Sequence, residues 1–308
     1  MGEWYFMKIV GMNNPSDIEQ FLETYAEAIG DPAVVQKIQA LFSHASCDGY
    51  LAMEGDTVIS VALYSRENSS IIGCLVPPAF EGRNIEKELI GKVFWELRGR
   101  GAHRIQGAFL MNHPGVHISI REELQSLGFI TAEELEMALS LPHTGVPQYT
   151  LPPDYSLIPY SPSYKDSMIT IKYEGNRGTT GNPLVHGVSS REETEHEVEK
   201  ILSGRFGAFL PTASIMLLQG EKAVGCTTCI RRPDGVGILT NVTILPEYRQ
   251  RGLGKALVIE SLHRLHRLDV SRVQLSVVAS NDSAMKIYCD LGFEEIARVC
   301  YYRWVDTL

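Results

Sequence analysis

Two kinds of hydrophobic pattern alternate along the chain and predict a protein of mixed α and β structure. Short runs rich in β-branched and aliphatic residues, bounded by glycine or proline, predict strands. Longer stretches in which apolar residues recur every three or four positions predict amphipathic helices. The clearest strand is Gly237–Ile244, and the clearest helix has Leu257 near its start and ends near Asp269. A short polar turn joins these two elements.

The predicted elements occur in the same order in the two halves of the chain. The first half opens with a helical stretch from Pro15 to about His44, interrupted at Gly30 and Pro32, and continues with strands and helices up to Leu141. A linker with four prolines follows between residues 142 and 153. Because proline cannot donate to a strand ladder and biases its predecessor to extended geometry, the linker predicts a boundary between domains 1–145 and 150–308.

The polar turn after Ile244 carries Arg249, Arg251, Gly252 and Gly254. A turn between a strand and a helix leaves backbone N–H groups free at the helix N-terminus, and these groups favour an anion, most often phosphate. The glycines leave room for its approach, and the arginines add positive charge. The stretch is not a Walker loop, and Leu257 stands where a dinucleotide fingerprint needs its third glycine.

A second stretch follows the predicted strand at residues 272–278. It reads Asn281-x-x-Ala284-x-x-x-Tyr288-x-x-x-Gly292-Phe293. Asn281 is a good residue to cap a helix, and Gly292 is a good residue to end one. Taken alone, Tyr288 would be interpreted as a core aromatic residue whose hydroxyl group is satisfied.

Together, Arg249-x-x-Gly252-x-Gly254 and the stretch from Asn281 to Phe293 resemble motifs A and B of the GNAT superfamily of N-acetyltransferases. The resemblance covers roughly residues 155–304. It implies that acetyl-CoA is the co-substrate, with its pyrophosphate at motif A, and that an amine is the acceptor. It also implies that Tyr288 protonates the departing thiolate, and that a backbone N–H near Thr243, by position that of Ile244, stabilises the oxyanion.

The resemblance implies a coenzyme site and leaves the general base unassigned. Residues 237–245 contain no carboxylate, so Asn241 and Thr243 could only orient a water molecule there. The catalytic set is therefore predicted as Tyr288, Asn241 and Thr243. The coenzyme-binding set is predicted as Ile244, Leu245, Arg249, Gln250, Arg251, Gly252, Leu253, Gly254, Lys255, Ala256, Asn281 and Tyr288.

The first half overlays on the second, which predicts an α+β (mixed α/β) protein of two tandem GNAT-like domains. Each domain is expected to have a mostly antiparallel twisted central sheet flanked by helices. Pro78 aligns with Pro246 at an offset of 168 positions, and Gly128 aligns with Gly292 at an offset of 164. The chemistry differs, so the first domain is predicted to have lost its coenzyme site. Glu81, Asn84 and Glu86 stand in place of Arg249, Gly252 and Gly254, while Leu124 and His117 stand in place of Tyr288 and Asn281.

Composition narrows the choice of partners. The net charge of −9 makes nucleic acid and anionic membranes poor partners. The N-terminus lacks a signal-peptide pattern, and no apolar run reaches membrane-spanning length, so a cytoplasmic protein is expected. Cys226 and Cys229 lie three apart on one predicted strand and point to opposite faces, which indicates structural thiols. No metal is expected, because no further ligands have suitable spacing.

The sequence does not name the acceptor. A small-molecule amine and a peptide amine are both compatible, and residues 175–187 are the predicted acceptor loop. Homodimer formation is also left open. A non-catalytic module that binds or senses acyl-CoA is the alternative to an enzyme, and the missing carboxylate on the strand before motif A favours it. The intact Tyr288 favours the enzyme.

Overall fold

The computed structural model describes residues 7–30, 35–36, 47–111, 114–141, 146–177 and 190–306, and divides the chain into two compact units. Unit 1 comprises residues 1–133 together with 298–308, and unit 2 comprises residues 134–297. The helices of the described residues are α1 (Glu19–Ile29), α2 (Ile85–Gly99), α3 (Pro114–Ser126), α4 (Lys165–Asn176), α5 (Arg191–Leu202), α6 (Leu253–Arg267) and α7 (Asp282–Asp290).

Unit 1 contains an antiparallel sheet with the strand order β1-β2-β3-β4. A further strand of this unit, β5, pairs antiparallel with β13. The apolar face of α2 packs on β3 and β4, with Leu89, Ile90 and Val93 completely buried. The strands are β1 (Lys8–Gly11), β2 (Cys47–Glu54), β3 (Thr57–Ser65), β4 (Ser70–Leu75), β5 (Arg104–Met111) and β13 (Glu294–Val305).

Unit 2 contains a sheet with the order β6-β12-β11-β10-β9-β7, and β8 also pairs with β10. All its neighbours are antiparallel except β11 and β12, which are parallel. Helix α6 covers one face with Val258, Leu262 and Leu265. The strands are β6 (Ile130–Ser140), β7 (Tyr155–Pro159), β8 (Ala208–Phe209), β9 (Ile215–Gln219), β10 (Lys222–Arg231), β11 (Gly237–Ile244) and β12 (Arg272–Val278).

Each unit contains a strand from the other half of the chain. Residues Glu134–Ser140 of β6 follow the first-half helix α3 and pair with β12 in unit 2. Residues Arg298–Val305 of β13 follow the second-half helix α7 and pair with β5 in unit 1. The compact units therefore differ from the predicted domains 1–145 and 150–308. The boundary between those domains remains a prediction of where the second copy of the repeat begins in the sequence.

The internal repeat is visible in the backbone. Helices α2 and α6 have the same length, and α6 begins 168 residues after α2. Short 3-10 turns start at Pro78 and Pro246, again 168 positions apart. Each half also has a β-bulge at the same offset, where Ile72 and Thr240 interrupt the pairing of their strands with β3 and β10. The α+β class with mostly antiparallel sheets is confirmed.

Local capping chemistry explains where α5 begins. The Ser190 hydroxyl accepts from the backbone N–H of Glu193 at 3.1 Å, and the Glu193 carboxylate accepts from the N–H of Ser190 at 3.1 Å. The Ser190-x-x-Glu193 spacing in the sequence predicts this capping box. The second part of the predicted Pro15–His44 helical stretch, and most of the predicted acceptor loop 175–187, lie outside the described residues.

Candidate active site

The central feature of unit 2 is a gap between two neighbouring strands. The ladder between β11 and β12 extends over three residue pairs, from Gly237–Val273 to Leu239–Leu275. The bulge at Thr240 follows directly, and the described residues beyond it show no pairing between the two strands. A bulge increases local twist and bends its strand, so it separates β11 from β12. We call the resulting space the strand gap.

The backbone N–H of Ile244 faces away from β10. The N–H of the next residue, Leu245, donates to the Val224 carbonyl at 2.9 Å. Along an antiparallel ladder, hydrogen-bonded and non-hydrogen-bonded pairs alternate, so the neighbouring Gly225–Ile244 pair directs its N–H and C=O groups outward. Ile244 is thus placed to donate on the side of the strand gap. Leu245, also predicted to line the coenzyme site, uses its N–H within the sheet.

The turn before α6 exposes backbone donors. Gly252 is the N-cap residue with φ 74°, and no side chain caps the helix there. The first N–H groups of a helix have no intrahelical acceptor, so those of α6 remain available to an anion. A Cβ built on Gly252 would meet no atom within 4 Å, and one on Gly254 would lie 3.6 Å from Ile287. The space beside Gly252 is therefore open, whereas a Cβ on Gly254 would make an ordinary van der Waals contact.

The two predicted phosphate-binding arginines are engaged with protein groups. Arg249 donates through Nε to the Ile244 carbonyl at 3.1 Å and through Nη2 to the Gly175 carbonyl. Arg251 donates to the Tyr155 hydroxyl at 3.0 Å and stacks on the Tyr248 ring. Both side chains fix the turn against its surroundings while keeping positive charge beside it.

The remaining predicted coenzyme residues differ in their surroundings. Leu253 and Ala256 are buried on the core side of α6, and Gln250 is exposed with φ 60°. Lys255 reaches Asp290 at 3.4 Å. The Asn281 side chain caps α7, because its Oδ1 accepts from the N–H of Ala284 at 3.2 Å.

Tyr288 lies on α7, whose Ile287 side chain lies close to Gly254 in the first turn of α6. Its ring is 7% exposed and packs edge to face on Phe293, with ring centroids 5.8 Å apart. Its hydroxyl makes no hydrogen bond to any described residue. Burial raises the pKa of Tyr288 to about 12, so the phenol keeps its proton at any physiological pH.

Asn241 and Thr243 are brought together on the face of β11 that α4 covers. The Thr243 hydroxyl donates to Asn241 Oδ1 at 2.8 Å, and the Asn241 amide donates to the Cys226 sulfur at 3.5 Å. Helix α4 comes close to this face because Gly175 has no side chain. A Cβ there would lie 2.2 Å from the Thr243 methyl carbon.

Sequence reasoning missed a charged pair near Cys226. Lys172 of α4 is nearly buried, with 6% of its side chain exposed, and its Nζ lies 2.7 Å from Glu197 of α5. Burial raises the pKa of the Cys226 thiol to about 12, and the positive charge of Lys172 partly opposes this rise. The only signal in the sequence was a lysine between apolar positions of a helix.

The cysteines of β10 behave as the strand pattern predicts. Cys226 and Cys229 are both buried, and they belong to different apolar clusters on opposite faces of β10. Burial raises the pKa of the Cys229 thiol to about 12 as well, which agrees with structural thiols. Among the described residues no group of three histidine, cysteine or carboxylate side chains converges in a way that could hold a metal ion.

Comparison with known proteins agrees with this geometry. A profile of the acetyltransferase (GNAT) family matches residues 187–293. Mycothiol acetyltransferase of Rhodococcus erythropolis is 26% identical over 273 residues, which cover 85% of this chain and 86% of that protein. The chain is thus similar to GNAT acetyltransferases, and the family profile covers the residues that form the strand gap. The ribosomal protein bS18-alanine N-acetyltransferase of Escherichia coli K12 is 38% identical to it over only 69 residues, 22% of this chain and 47% of that enzyme.

A solved structure adds evidence for the fold of the chain. A GCN5-related N-acetyltransferase from Sphaerobacter thermophilus superposes with a TM-score of 0.62 at 18% identity, covering 97% of this chain and 96% of that one. The full-length match means that both compact units belong to the shared fold. None of the described helices is long and apolar enough to cross a membrane.

Proposed function

We propose that unit 2 transfers an acetyl group from acetyl-CoA to a primary amine by direct attack. The observation that carries this proposal is the strand gap between β11 and β12, with the uncapped N-terminus of α6 and the buried Tyr288 of α7 beside it. An extended molecule with an anionic end and a thioester end matches this arrangement. The match of the family profile to residues 187–293, which contain all three features, supports it.

The residues of the turn before α6 fit the pyrophosphate of acetyl-CoA. The space beside Gly252 is open, Gly254 adds no side chain to the turn, and the first N–H groups of α6 are donors for phosphate oxygens. Arg249 and Arg251 place positive charge around the same turn. Acetyl-CoA, when bound, supplies the acetyl thioester.

Three sets of groups in unit 2 act on the acetyl transfer itself. The outward N–H of Ile244 can donate to a carbonyl oxygen that gains negative charge, which is where fixed donors lower a barrier most. Tyr288 holds a proton on its hydroxyl for the sulfur that leaves. We assign Asn241 and Thr243 the role of orienting a water molecule through which the proton of the attacking amine passes to bulk solvent.

We further propose that the acceptor is of the kind used by the mycothiol acetyltransferases and not a ribosomal protein. The relatives of the first kind match along nearly the whole chain, including the regions outside the coenzyme site. The bS18-alanine N-acetyltransferases match only a short part of it.

The test compares two substitutions at one position. Gly254→Glu is expected to abolish acetyl-CoA binding in titration calorimetry, because it puts a negative charge in the first turn of α6, where it repels the pyrophosphate. Gly254→Ala adds only a Cβ at ordinary contact distance from Ile287, so it is expected to fold and to bind. Equal affinity of the Gly254→Glu variant and the wild-type protein would place the coenzyme elsewhere.

Turnover is tested separately by release of the free thiol with a panel of amino sugars, aminoglycosides, polyamines, amino acids and peptide N-termini. Release above the rate with water is expected for at least one small-molecule amine. Stoichiometric binding of acetyl-CoA without thiol release from any amine would instead indicate an acyl-CoA-binding module.

The pKa of Tyr288 gives a pH prediction. An ordinary tyrosine ionises near pH 10, whereas burial raises this pKa to about 12. The neutral phenol is the active form, so kcat at saturating acceptor is expected to show no decline between about pH 8 and 10. Above about pH 10 the unfolded chain loses the Tyr288 proton while the folded protein keeps it, which lowers the free energy of unfolding. Circular dichroism should therefore accompany the assay. A fall in kcat with a midpoint below pH 10 in folded protein would contradict this role.

A further inference from the structure

Lys172 is a charged residue on the buried face of α4. Its side chain is 6% exposed, and Met168 and Ile169, which precede it by about one helical turn, are each 1% exposed. Burial of an ammonium group is costly unless a partner compensates it. The Lys172 Nζ lies 2.7 Å from Oε1 of Glu197 on α5, whose side chain is 34% exposed. The positive end is therefore the buried end of this ion pair.

The same face of α4 covers Asn241 and Thr243. Gly175 follows Lys172 by three positions, so both lie on one side of the helix. A Cβ on Gly175 would lie 2.2 Å from the Thr243 methyl carbon, and Thr243 is in register with Cys226 of β10. The Cys226 sulfur accepts from the Asn241 amide at 3.5 Å. Lys172 thus lies on the side of β11 from which Asn241 and Thr243 are proposed to orient a water molecule.

The groups around Lys172 leave this side of β11 with a positive field. Burial raises the pKa of the Cys226 thiol, the charge of Lys172 opposes the rise, and no carboxylate of the described residues adds to it. Arg249 brings a second positive charge, because its guanidinium donates to a backbone carbonyl of α4. Glu174 and Arg177, at the exposed end of α4, pair with each other at 3.2 Å. The side chains of β11 on this face are the uncharged pair described above.

Acetyl transfer needs an uncharged amine, and β11 has no carboxylate to deprotonate it. A free primary amine is mostly an ammonium ion at neutral pH. A nearby positive charge disfavours the ammonium form, and neighbouring cations activate catalytic lysines in other proteins by this effect. The same effect applies to a bound acceptor amine.

We propose that the buried charge of Lys172 holds the acceptor amine in its uncharged form, so that the amine attacks without a dedicated carboxylate base. The proton of the ammonium ion leaves to bulk solvent through the water at Asn241 and Thr243. In the transfer the C–N bond forms, the C–S bond breaks and Tyr288 protonates the sulfur. The proton that the nitrogen loses after attack restores the phenol through solvent. The proposal rests on the acetyl transfer proposed for unit 2.

The test uses the acid limb of the pH profile of kcat, which reports ionisation in the complex with both substrates bound. Glucosamine is the first probe amine, and any amine of the panel that the wild-type protein acetylates can replace it. Lys172→Met removes the charge, so the midpoint of the limb is expected to rise by roughly 0.5 to 1 pH unit. Lys172→Arg keeps the charge and is expected to restore the wild-type midpoint. The Kd of acetyl-CoA in calorimetry should stay near the wild-type value in both variants.

Two further variants separate this role from its rivals. Oε2 of Glu197 is buried and makes no hydrogen bond to any described residue, which makes this carboxylate the rival candidate for a base. Glu197→Gln is expected to lower the midpoint, because it leaves the charge of Lys172 uncompensated, whereas loss of a base would lower kcat at every pH. Lys165→Met is the matched control. Lys165 pairs with Glu199 at 2.9 Å between the same two helices but is 36% exposed, so the midpoint should not move.

Thermal melting shows which variants are folded. An unchanged midpoint in folded Lys172→Met protein, or an equal shift in Lys165→Met, would overturn the proposal. Loss of kcat at every pH in Glu197→Gln would overturn it as well, in favour of Glu197 as the base. If Lys172→Met does not fold, the direction of the shift in Glu197→Gln decides. A wild-type protein that binds acetyl-CoA but acetylates no amine of the panel would refute the proposed function itself, and the role of Lys172 with it.

Discussion

Replacing Tyr288 by phenylalanine is expected to lower kcat by roughly 100- to 10,000-fold, the range typical of a general acid. The substitution removes one oxygen and leaves the ring on Phe293, so the packing of α7 is retained. The lost interaction forms mainly as the sulfur leaves, so the Kd of acetyl-CoA should change far less than kcat. Steady-state thiol release and titration calorimetry measure the two quantities.

Tyr149→Phe is the matched control for this experiment. Tyr149 belongs to the same unit, and its hydroxyl donates to Glu260 of α6 at 2.9 Å. Its loss should lower the melting temperature slightly and leave kcat near the wild-type value. If Tyr288→Phe turned over at the wild-type rate with a good acceptor, Tyr288 would be a core residue and the acid would lie elsewhere.

A fragment of residues 134–297 is expected to fold and to bind acetyl-CoA, whereas a fragment of residues 150–308 is not. The second fragment follows the proline linker but omits β6, which pairs with β12 over seven residues from Glu134 to Ser140. Leu135 and Met137 of β6 are 4% and 2% exposed in the main apolar cluster of unit 2. Loss of a large buried side chain costs about 2 to 5 kcal/mol, and a domain has only about 5 to 15 kcal/mol in total.

The two fragments are compared by size-exclusion chromatography, thermal melting and calorimetry with acetyl-CoA. The 134–297 fragment should be monodisperse with a cooperative transition and about one binding site. The 150–308 fragment should aggregate, because β12 exposes an unpaired edge and its apolar face. A soluble, cooperatively folded 150–308 fragment that binds acetyl-CoA would show that β6 is dispensable for unit 2.

The sequence was most informative where local chemistry decides the structure. The turn from Arg249 to Gly254 and the α7 cap at Asn281 depend on residues within a few positions of each other, so their spacing was sufficient to predict them. The overlay of Pro78 on Pro246 likewise predicted the repeat. These features agree with the structure because the same short segments form the same turns wherever they occur.

Long-range pairing could not be predicted in this way. The apolar residues of β6 and β13 alternate as expected for strands, but alternation does not say which neighbouring edge a strand joins. The contact between Tyr302 and Ile71 spans 231 positions and depends on Gly107, whose lack of a side chain is meaningful only once the strands are placed. For Arg249, no pattern in the sequence indicated that backbone carbonyls would be its partners.

The position of β13 in the sequence determines which compact unit can complete its folding first during translation. Residues 1–133 leave the ribosome first, yet their unit needs residues 298–305 to pair with β5 and to place Tyr302 against Ile71. At roughly 5 to 20 residues per second, the synthesis of residues 134–297 takes on the order of 10 to 30 seconds. During this time the nascent N-terminal segment carries an unpaired β5 and an unfilled core. The part of the chain that is made first is therefore completed last.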